Sequence, residues 1–161
     1  MGKRKDKPRI PPYLRGDDYS GNFAMIPPDL FEMEGFKNLT YAARAFYLMI
    51  AAHVTSMQQR ECLYNALQEY NQILSLGLNE EDIKESVWGN KRAHTFSRLF
   101  VIPESHLKNY GYSAAYANKL KKELIEKGFI KIKYGGKGKY TAWSKNVTIY
   151  EFVSEWKKFS T

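Results

Sequence analysis

The strongest constraint on the fold comes from residues 103–128, where two helical patterns follow one another across a very short connection. The first, PESHLKNYG, begins at Pro103 and is closed by Gly111, a residue suited to ending a helix. Two positions later Ser113 occupies the N-cap position of the second, SAAYANKLKKELIEKG, and Gly128 stands just past its end. The apolar stripe of this second segment is formed by Ala117, Leu120 and Leu124. These spacings predict two helices that meet across a tight turn, the outline of a helix-turn-helix.

The residues after Gly128 change from helical to strand-like patterning. FIKIKY, at 129–134, alternates apolar residues with lysine, which is typical of a half-buried strand. GGKGK then forms a turn, and YTAWSKNVTIYEFV supplies a second strand rich in aromatic and β-branched residues, with a bulge expected near 144–146. A β-hairpin that directly follows a helix-turn-helix is called a wing. The predicted fold class is therefore α+β and mostly helical, a winged helix-turn-helix with a C-terminal β-hairpin wing.

Further helices are predicted upstream of this unit. FAMIPPDLFEME contains an extended piece and then a short helix around 28–31, because proline suits the first turn of a helix. Thr40 is a good N-cap for a core helix of about four turns within NLTYAARAFYLMIAAHVTS. Residues 57–76 form a second long helix that Gly77 ends, and Asn79 caps a third, shorter one in NEEDIKESVWG.

The domain organisation follows from these elements and from composition. Residues 1–20 are basic, then rich in proline, with little to bury, and we predict a flexible arm. Residues 21–161 form a single winged-helix domain in which residues 57–90 are an extra helical insert. A loop at 91–99 leads from the insert into the short extended LFVIP. The terminal SEWKKFS is expected to form a short helix or a frayed tail, in which Trp156 packs back on the domain.

The charge of the chain is positive and unevenly distributed. The net charge is +8, which favours polyanionic partners. Residues 1–15 hold six basic side chains and one acidic, residues 113–139 hold eight lysines and two glutamates, and residues 16–112 hold eight basic and twelve acidic side chains. No apolar run reaches the roughly 20 residues that cross a bilayer, and the N-terminus lacks the apolar stretch of a secretory signal. We therefore predict a cytoplasmic protein with no membrane partner.

The second helix of the helix-turn-helix and the wing are the predicted contacts with double-stranded DNA. If the apolar stripe of that helix is buried, its opposite face is small, polar and basic, and its first turn offers backbone N–H groups to a phosphate. Small residues let a helix enter a major groove, where Tyr116 and Asn118 could reach base edges while lysines meet phosphates. In the wing, glycines permit a tight tip that places lysines beside the neighbouring backbone. The predicted DNA-binding residues are Ser113, Ala115, Tyr116, Asn118, Lys119, Lys122, Lys133, Lys137, Lys139 and Tyr140.

Three segments also resemble a known family. FAMIPPDLF, FKNLTYAARAFYLMI and YSAAYANKLKKELIEKGFIKIKYGGKGK are similar to the N-terminal winged-helix region of plasmid replication initiators of Gram-positive bacteria, the RepA N-terminal family. The resemblance spans most of residues 22–140 and implies DNA binding in the replication or regulation of a plasmid, phage or integrative element. Residues 57–112 replace the usual short connection of the family. The matching positions are Ile26, Pro27, Leu30, Phe31, Leu39, Thr40, Tyr47, Ser113, Lys119, Leu124, Gly128, Phe129 and Ile130, with the wing at Gly135, Gly136 and Gly138.

Enzymatic activity is not expected. His53, His94 and His106 are scattered and lack the close spacing of a metal site. GGKGK resembles a phosphate-cradling loop only in composition, because its Gly-Lys is not followed by Ser or Thr and its glycines are not followed by a helix. Cys62 has no second cysteine with which to form an internal disulfide, and a half-buried thiol is expected there. We therefore predict no catalytic residue, no metal and no cofactor.

The main alternative is a winged-helix module that binds another protein, with the 57–90 insert as its contact surface. The same helices could pair two copies, since many winged-helix proteins form a homodimer that contacts two half-sites. Under these hypotheses Tyr64, Tyr70 and Trp88 are either core or interface residues. The DNA sequence recognised, and the choice between replication and transcription, stay open.

Overall fold

The structure is a computed structural model that describes residue 24 and residues 26–89, 97–135 and 147–159. Within these ranges the chain is mostly helical and carries a three-stranded antiparallel sheet, in agreement with the predicted α+β class. The helices are α1 (Glu34–Lys37), α2 (Tyr41–His53), α3 (Met57–Ile73), α4 (Glu80–Trp88), α5 (Glu104–Asn109) and α6 (Ala114–Glu126), and the strands are β1 (Leu99–Phe100), β2 (Ile130–Tyr134) and β3 (Ile149–Phe152). Two 3₁₀ helices span Pro28–Glu32 and Glu155–Phe159. None of these helices is long and apolar enough to cross a membrane.

The central strand of the sheet is β3, which pairs antiparallel with both β1 and β2. Ile132 of β2 lies opposite Tyr150, and Tyr134 lies opposite Ile149, so β2 advances two residues while β3 advances one. Such a shift is a bulge-type irregularity, and it lies within β2. The bulge that the sequence predicts near 144–146 lies outside the described residues.

Helices cover both faces of this sheet. Successive side chains on a strand point to opposite faces, so Tyr150 belongs to one hydrophobic cluster and its neighbour Ile149 to another. Phe100 of β1 joins the first cluster, and the following Val101 joins the second. The first cluster includes residues of α1, α2, α5 and α6, and the second includes residues of α3 and α4. The helical insert therefore forms a second layer of the core, which explains why the neighbours Ile149 and Tyr150 on β3 are both buried.

Aromatic rings hold the last described residues to the first cluster. The Trp156 indole stacks on Phe129, with ring centroids 4.8 Å apart and an interplanar angle of 3°. Phe129 also meets the Tyr47 ring edge-on at 5.0 Å, so one ring links α2 to the terminal 3₁₀ helix. Gly35 is required where this 3₁₀ helix crosses α1, because a Cβ atom there would lie 2.5 Å from the Trp156 backbone oxygen. The prediction that Trp156 packs back on the domain is confirmed.

The predicted helix starts are confirmed by their capping bonds. Thr40 Oγ1 accepts a hydrogen bond from the backbone N–H of Ala43, the third residue of α2, at 3.2 Å. Ser113 caps α6 in the same way, accepting from the N–H of Tyr116 at 3.2 Å. Asn79 forms a reciprocal capping box with Asp82 at the start of α4. Each cap joins residues three positions apart, which is why the local sequence predicts it.

The second long helix ends earlier than predicted. It stops at Ile73 instead of continuing to residue 76. The Asn71 side chain explains this end, because it donates to the Leu78 carbonyl at 2.9 Å and accepts from the Leu78 N–H at 3.0 Å. The chain has to turn back to make both bonds, and Ser75 takes a positive φ of 50° in that turn.

The prediction that β2 is a half-buried strand holds only for the start of the strand. Ile130 is 1% exposed and belongs to the first cluster. Ile132 points to the same face of the strand but is 44% exposed and lies outside both clusters. The residues that cover Ile130 therefore do not extend over Ile132.

The isoleucines of β2 provide a matched test of this burial. We expect Ile130→Ala to lower the free energy of unfolding by about 2–5 kcal/mol, because it leaves a cavity in the first cluster. We expect Ile132→Ala to lower it by less than about 1 kcal/mol. Urea denaturation of both variants measures the difference. Equal costs for the two substitutions would contradict the burial described for this strand.

Candidate nucleic-acid interface

The side of α6 turned away from the core carries predicted contact residues. Ala117, Leu120 and Leu124 are buried in the first cluster, as predicted. Among the described residues, neither Lys119 nor Lys122 has a carboxylate oxygen within 4.0 Å. Both charges are therefore available to an external anion. The exposed members of the predicted contact set on this helix and its cap are Ser113, Ala115, Tyr116, Asn118, Lys119 and Lys122.

The ring of Tyr116 is oriented by its neighbours. It stacks on Tyr112, with ring centroids 6.2 Å apart and an interplanar angle of 15°. Tyr112 in turn meets the Phe46 ring of α2 edge-on at 5.1 Å. Burial, and next the proximity of Tyr116, raise the pKa of the Tyr112 phenol. A stack of rings thus connects the core of α2 to the exposed start of α6.

One lysine of α6 faces the sheet instead of solvent. Lys121 is half-buried, and its Nζ atom lies 5.3 Å from the centre of the Tyr150 ring. Burial lowers the pKa of Lys121, against an opposing effect of the Glu104 carboxylate. Lys121 therefore supports the packing of α6 on β3, and it was not among the predicted DNA-binding residues.

A groove of about 430 Å³ lies between α6 and the start of α2. Tyr116, Lys119 and Lys122 line it together with Thr40 and the acidic residues Glu123 and Glu126. The Thr40 hydroxyl donates to Oε2 of Glu123 at 2.9 Å and so ties the start of α2 to α6. The structure therefore brings three predicted contact residues to one groove. Sequence reasoning missed the second role of Thr40, because no local pattern links residues 83 positions apart.

Lys133 lies in a different environment. Its Nζ atom is 3.8 Å from the Glu151 carboxylate, and the Nζ atom of Lys131 is 3.3 Å from the same group. Glu151 therefore balances one of these two positive charges. Lys133 borders a cavity that Asp82 and Glu85 of α4 also line, not the groove beside α6. The remaining predicted wing residues, Lys137, Lys139 and Tyr140, lie outside the described residues.

A histidine pair joins α2 to α5. The ring centroids of His53 and His106 are 4.8 Å apart, and Nδ1 of His106 lies 3.4 Å from Nε2 of His53. The other ring nitrogen of His53 lies 3.0 Å from the Tyr110 hydroxyl. Two histidines that lie 53 positions apart in the sequence therefore meet in the fold. In the part of the chain that the structure describes, no group of three or more His, Cys, Asp or Glu side chains could hold a metal ion.

Comparisons of the chain with protein-family models, with curated proteins and with solved structures give no match. The resemblance to the RepA N-terminal family thus rests on the quoted motifs and stays a prediction. The candidate nucleic-acid interface is therefore the exposed face of α6 that carries Lys119 and Lys122, with the groove beside it.

The histidine pair makes stability depend on pH. Burial, and then the neighbouring His106, lower the pKa of His53 from 6.5 to about 4, against an opposing hydrogen bond with the Val101 backbone. Between these two values the unfolded chain binds a proton that folded His53 does not, so acid favours unfolding. We expect the free energy of unfolding to fall by up to about 3 kcal/mol as the pH falls from about 7 to about 4. Urea denaturation across this range measures the change.

Two variants identify the group responsible. His53→Gln removes the titrating side chain and should flatten the pH dependence of stability. His106→Gln keeps the buried imidazole of His53 and removes only the neighbouring ring, so most of the pH dependence should remain because burial is the larger cause of the His53 pKa shift. If His53→Gln and the wild type lose stability equally in acid, a different group causes the effect.

Proposed function

We propose that the chain is a winged helix-turn-helix protein that binds double-stranded DNA in a sequence-specific manner. In a winged helix, a helix and a strand precede the helix-turn-helix, and the hairpin that follows adds two strands, the last of which lies between the other two. The order α2, β1, α5, α6, β2 and β3, with β3 in the centre of the sheet, supports this assignment. In this scheme α3 and α4 are an insert between the first helix and the first strand.

The exposed face of α6 is the observation that carries the proposal. Ala115 is small and exposed near the start of the helix, which leaves room for close approach to base pairs in a major groove. Tyr116 and Asn118 supply donors and acceptors for base edges. Lys119 and Lys122, exposed and without an ion-pair partner among the described residues, supply charge for phosphates. This arrangement suits a recognition helix.

The connection between β2 and β3 is the proposed second contact, the wing. Lys137, Lys139 and Tyr140 belong to it and would meet the DNA backbone beside the groove that α6 occupies. Lys133 contributes less in this scheme, because Glu151 balances part of the charge around it. The first turn of α6, next to its cap Ser113, offers backbone N–H groups to a phosphate.

The biological role is proposed from the family resemblance. We assign the chain to replication initiation, or to regulation, of a plasmid, phage or integrative element, as a non-enzymatic protein of the cytoplasm. A homodimer would place two copies of α6 on two half-sites and thereby increase sequence specificity. The resemblance to the RepA N-terminal family supports the role, and the face of α6 supports the contact with DNA.

A protein partner for the 57–90 insert is the alternative function. The exposed Trp88 favours it, because this ring is 41% exposed and packs beside Tyr64 with centroids 5.6 Å apart. Most of the apolar stripe of the insert is buried against the sheet and is not available to a partner. These buried residues are Leu63, Leu67, Tyr70, Ile83 and Val87. DNA binding is therefore the better-supported function.

Charge-matched lysine pairs can separate a DNA surface from a general effect of positive charge. The proposed interface has two lysine pairs, one on α6 and one in the wing. We expect alanine substitution of either pair to weaken binding of a fluorescent duplex and to lower the slope of log affinity against log salt by roughly 2. Removal of two ion-paired lysines elsewhere should change the slope little. Anisotropy at about 50 and 200 mM salt measures both quantities. The variants are Lys119→Ala with Lys122→Ala, Lys137→Ala with Lys139→Ala, and the control Lys37→Ala with Lys84→Ala.

Two outcomes would contradict this proposal. If all three pairs have the same effect, the lysines act through net charge alone and do not define a DNA surface. If the wild-type protein binds no duplex at about 50 mM salt, where phosphate contacts are strongest, DNA is not its partner. A stable complex with another protein in analytical ultracentrifugation would then favour the 57–90 insert as the functional surface.

Sequence recognition has its own test at Asn118. Because an asparagine amide can contact an adenine edge through two hydrogen bonds, Asn118→Ala should weaken binding to a selected duplex by about tenfold or more. Binding to random duplex and the salt slope should change little, since the substitution removes no charge. Asn65→Ala, at an exposed position of α3, is the control. Equal losses on selected and random duplex would argue against a base contact at Asn118.

A further inference from the structure

A tyrosine of the helical insert contacts both ends of the connection between β2 and β3. Tyr70 lies on α3 and is 1% exposed. Its ring stacks on Tyr134, the last residue of β2, with centroids 5.8 Å apart and an interplanar angle of 28°. Its hydroxyl donates to the carbonyl oxygen of Val147, shortly before β3, at 3.1 Å. One side chain therefore contacts both the residue at which the connection begins and a residue near its end.

The backbone of Gly135 lies close to the Tyr70 hydroxyl. Gly135 has a φ of +94°, a conformation that disfavours other residues. A Cβ atom at Gly135 would lie 2.5 Å from Oη of Tyr70 and 3.3 Å from Cα of Thr148. A glycine is thus needed here both for its conformation and for the approach of the tyrosine.

The ends of the connection matter because its length exceeds that of a two-residue hairpin turn. In short hairpins the turn type sets how the chain leaves one strand and enters the next. Here residues 135–146 separate the two contacts of Tyr70, Tyr134 and Val147, and they include Lys137, Lys139 and Lys145. Among the described residues, strand pairing ends with Tyr134 opposite Ile149. Past that pair, Tyr70 is a side chain that holds the two ends at a defined separation.

The hydroxyl of Tyr70 has a role distinct from the packing of its ring. A buried hydroxyl is costly unless it is hydrogen-bonded, and a phenylalanine would fill almost the same volume in the second cluster without that requirement. The bond to Val147 satisfies the hydroxyl and directs it at the connection. Packing alone therefore does not account for a tyrosine at this position.

We propose that Tyr70 is a positioning residue of the DNA interface: it joins the two ends of the β2–β3 connection, the segment to which Lys137 and Lys139 belong, through its contacts with Tyr134 and Val147. The proposal rests on the function proposed above and gives the helical insert a part in it. The insert then acts on DNA binding from the opposite side of the sheet, without touching DNA itself.

The first test is Tyr70→Phe, measured in two backgrounds. The substitution keeps the ring and removes the hydrogen bond to Val147, so duplex affinity should fall by about two- to tenfold. In a background that already carries Lys137→Ala and Lys139→Ala, the same substitution should change affinity less than about twofold, because the lysines that Tyr70 positions are absent. Tyr64→Phe is the matched control on the same helix, since the Tyr64 hydroxyl contacts Glu80 at 3.5 Å and not the connection.

The second test examines the contact without DNA. Gly135→Ala should lower the unfolding midpoint in urea more than Gly77→Ala, because Gly77 has a similar φ of +72° but open space around a Cβ atom. Adding Tyr70→Phe to Gly135→Ala should restore part of that loss, since the substitution removes the hydroxyl that the new Cβ atom meets. The two substitutions are therefore expected to be non-additive.

These tests separate failure of the positioning role from failure of DNA binding. If Tyr70→Phe weakens binding equally in both backgrounds, or as little as Tyr64→Phe, the positioning role is wrong. Strict additivity of Tyr70→Phe with Gly135→Ala would also overturn it. If the wild-type protein binds no duplex, the proposed function fails together with the positioning of lysines on DNA, whereas non-additivity would still establish that Tyr70 holds the connection.

Discussion

Burial of one small sheet on both faces is the constraint on which the rest of the structure depends. Tyr150 and Ile149 are neighbours on β3, yet they belong to different hydrophobic clusters. Each helical layer therefore packs on strands whose opposite face packs against the other layer. The insert of α3 and α4 is part of this core, because without it Val101 and Ile149 would lose the residues that cover them.

The two layers contribute differently to the proposed interface. The first buries Ala117, Leu120 and Leu124 and so turns the basic side of α6 outward. The second contacts the ends of the β2–β3 connection through Tyr70. Both effects depend on the same sheet, because β2 follows α6 directly in the chain and pairs antiparallel with β3. The exposure of Lys119 and Lys122 on α6 and the contacts of Tyr70 with both ends of the connection are consequences of this shared packing.

Local features of the fold were predictable because their causes are local. The caps at Thr40 and Ser113 depend on backbone groups three residues away, and the exposure of Asn118 follows from helical periodicity. The early end of α3 was missed, since the partner of Asn71 lies beyond the helix. The exposure of Ile132 was missed because alternation along a strand does not reveal how far the covering residues extend.

By itself the sequence determined the helix starts, the buried stripe of α6 and the concentration of lysine in residues 113–139, because each is a property of neighbouring residues. Only the tertiary structure decided which distant groups meet. Periodicity specifies which face of an element is apolar but not which element covers it, and here that choice follows from packing two helical layers on one sheet. The pairs decided in this way are Thr40 with Glu123, His53 with His106, and Tyr70 with Val147.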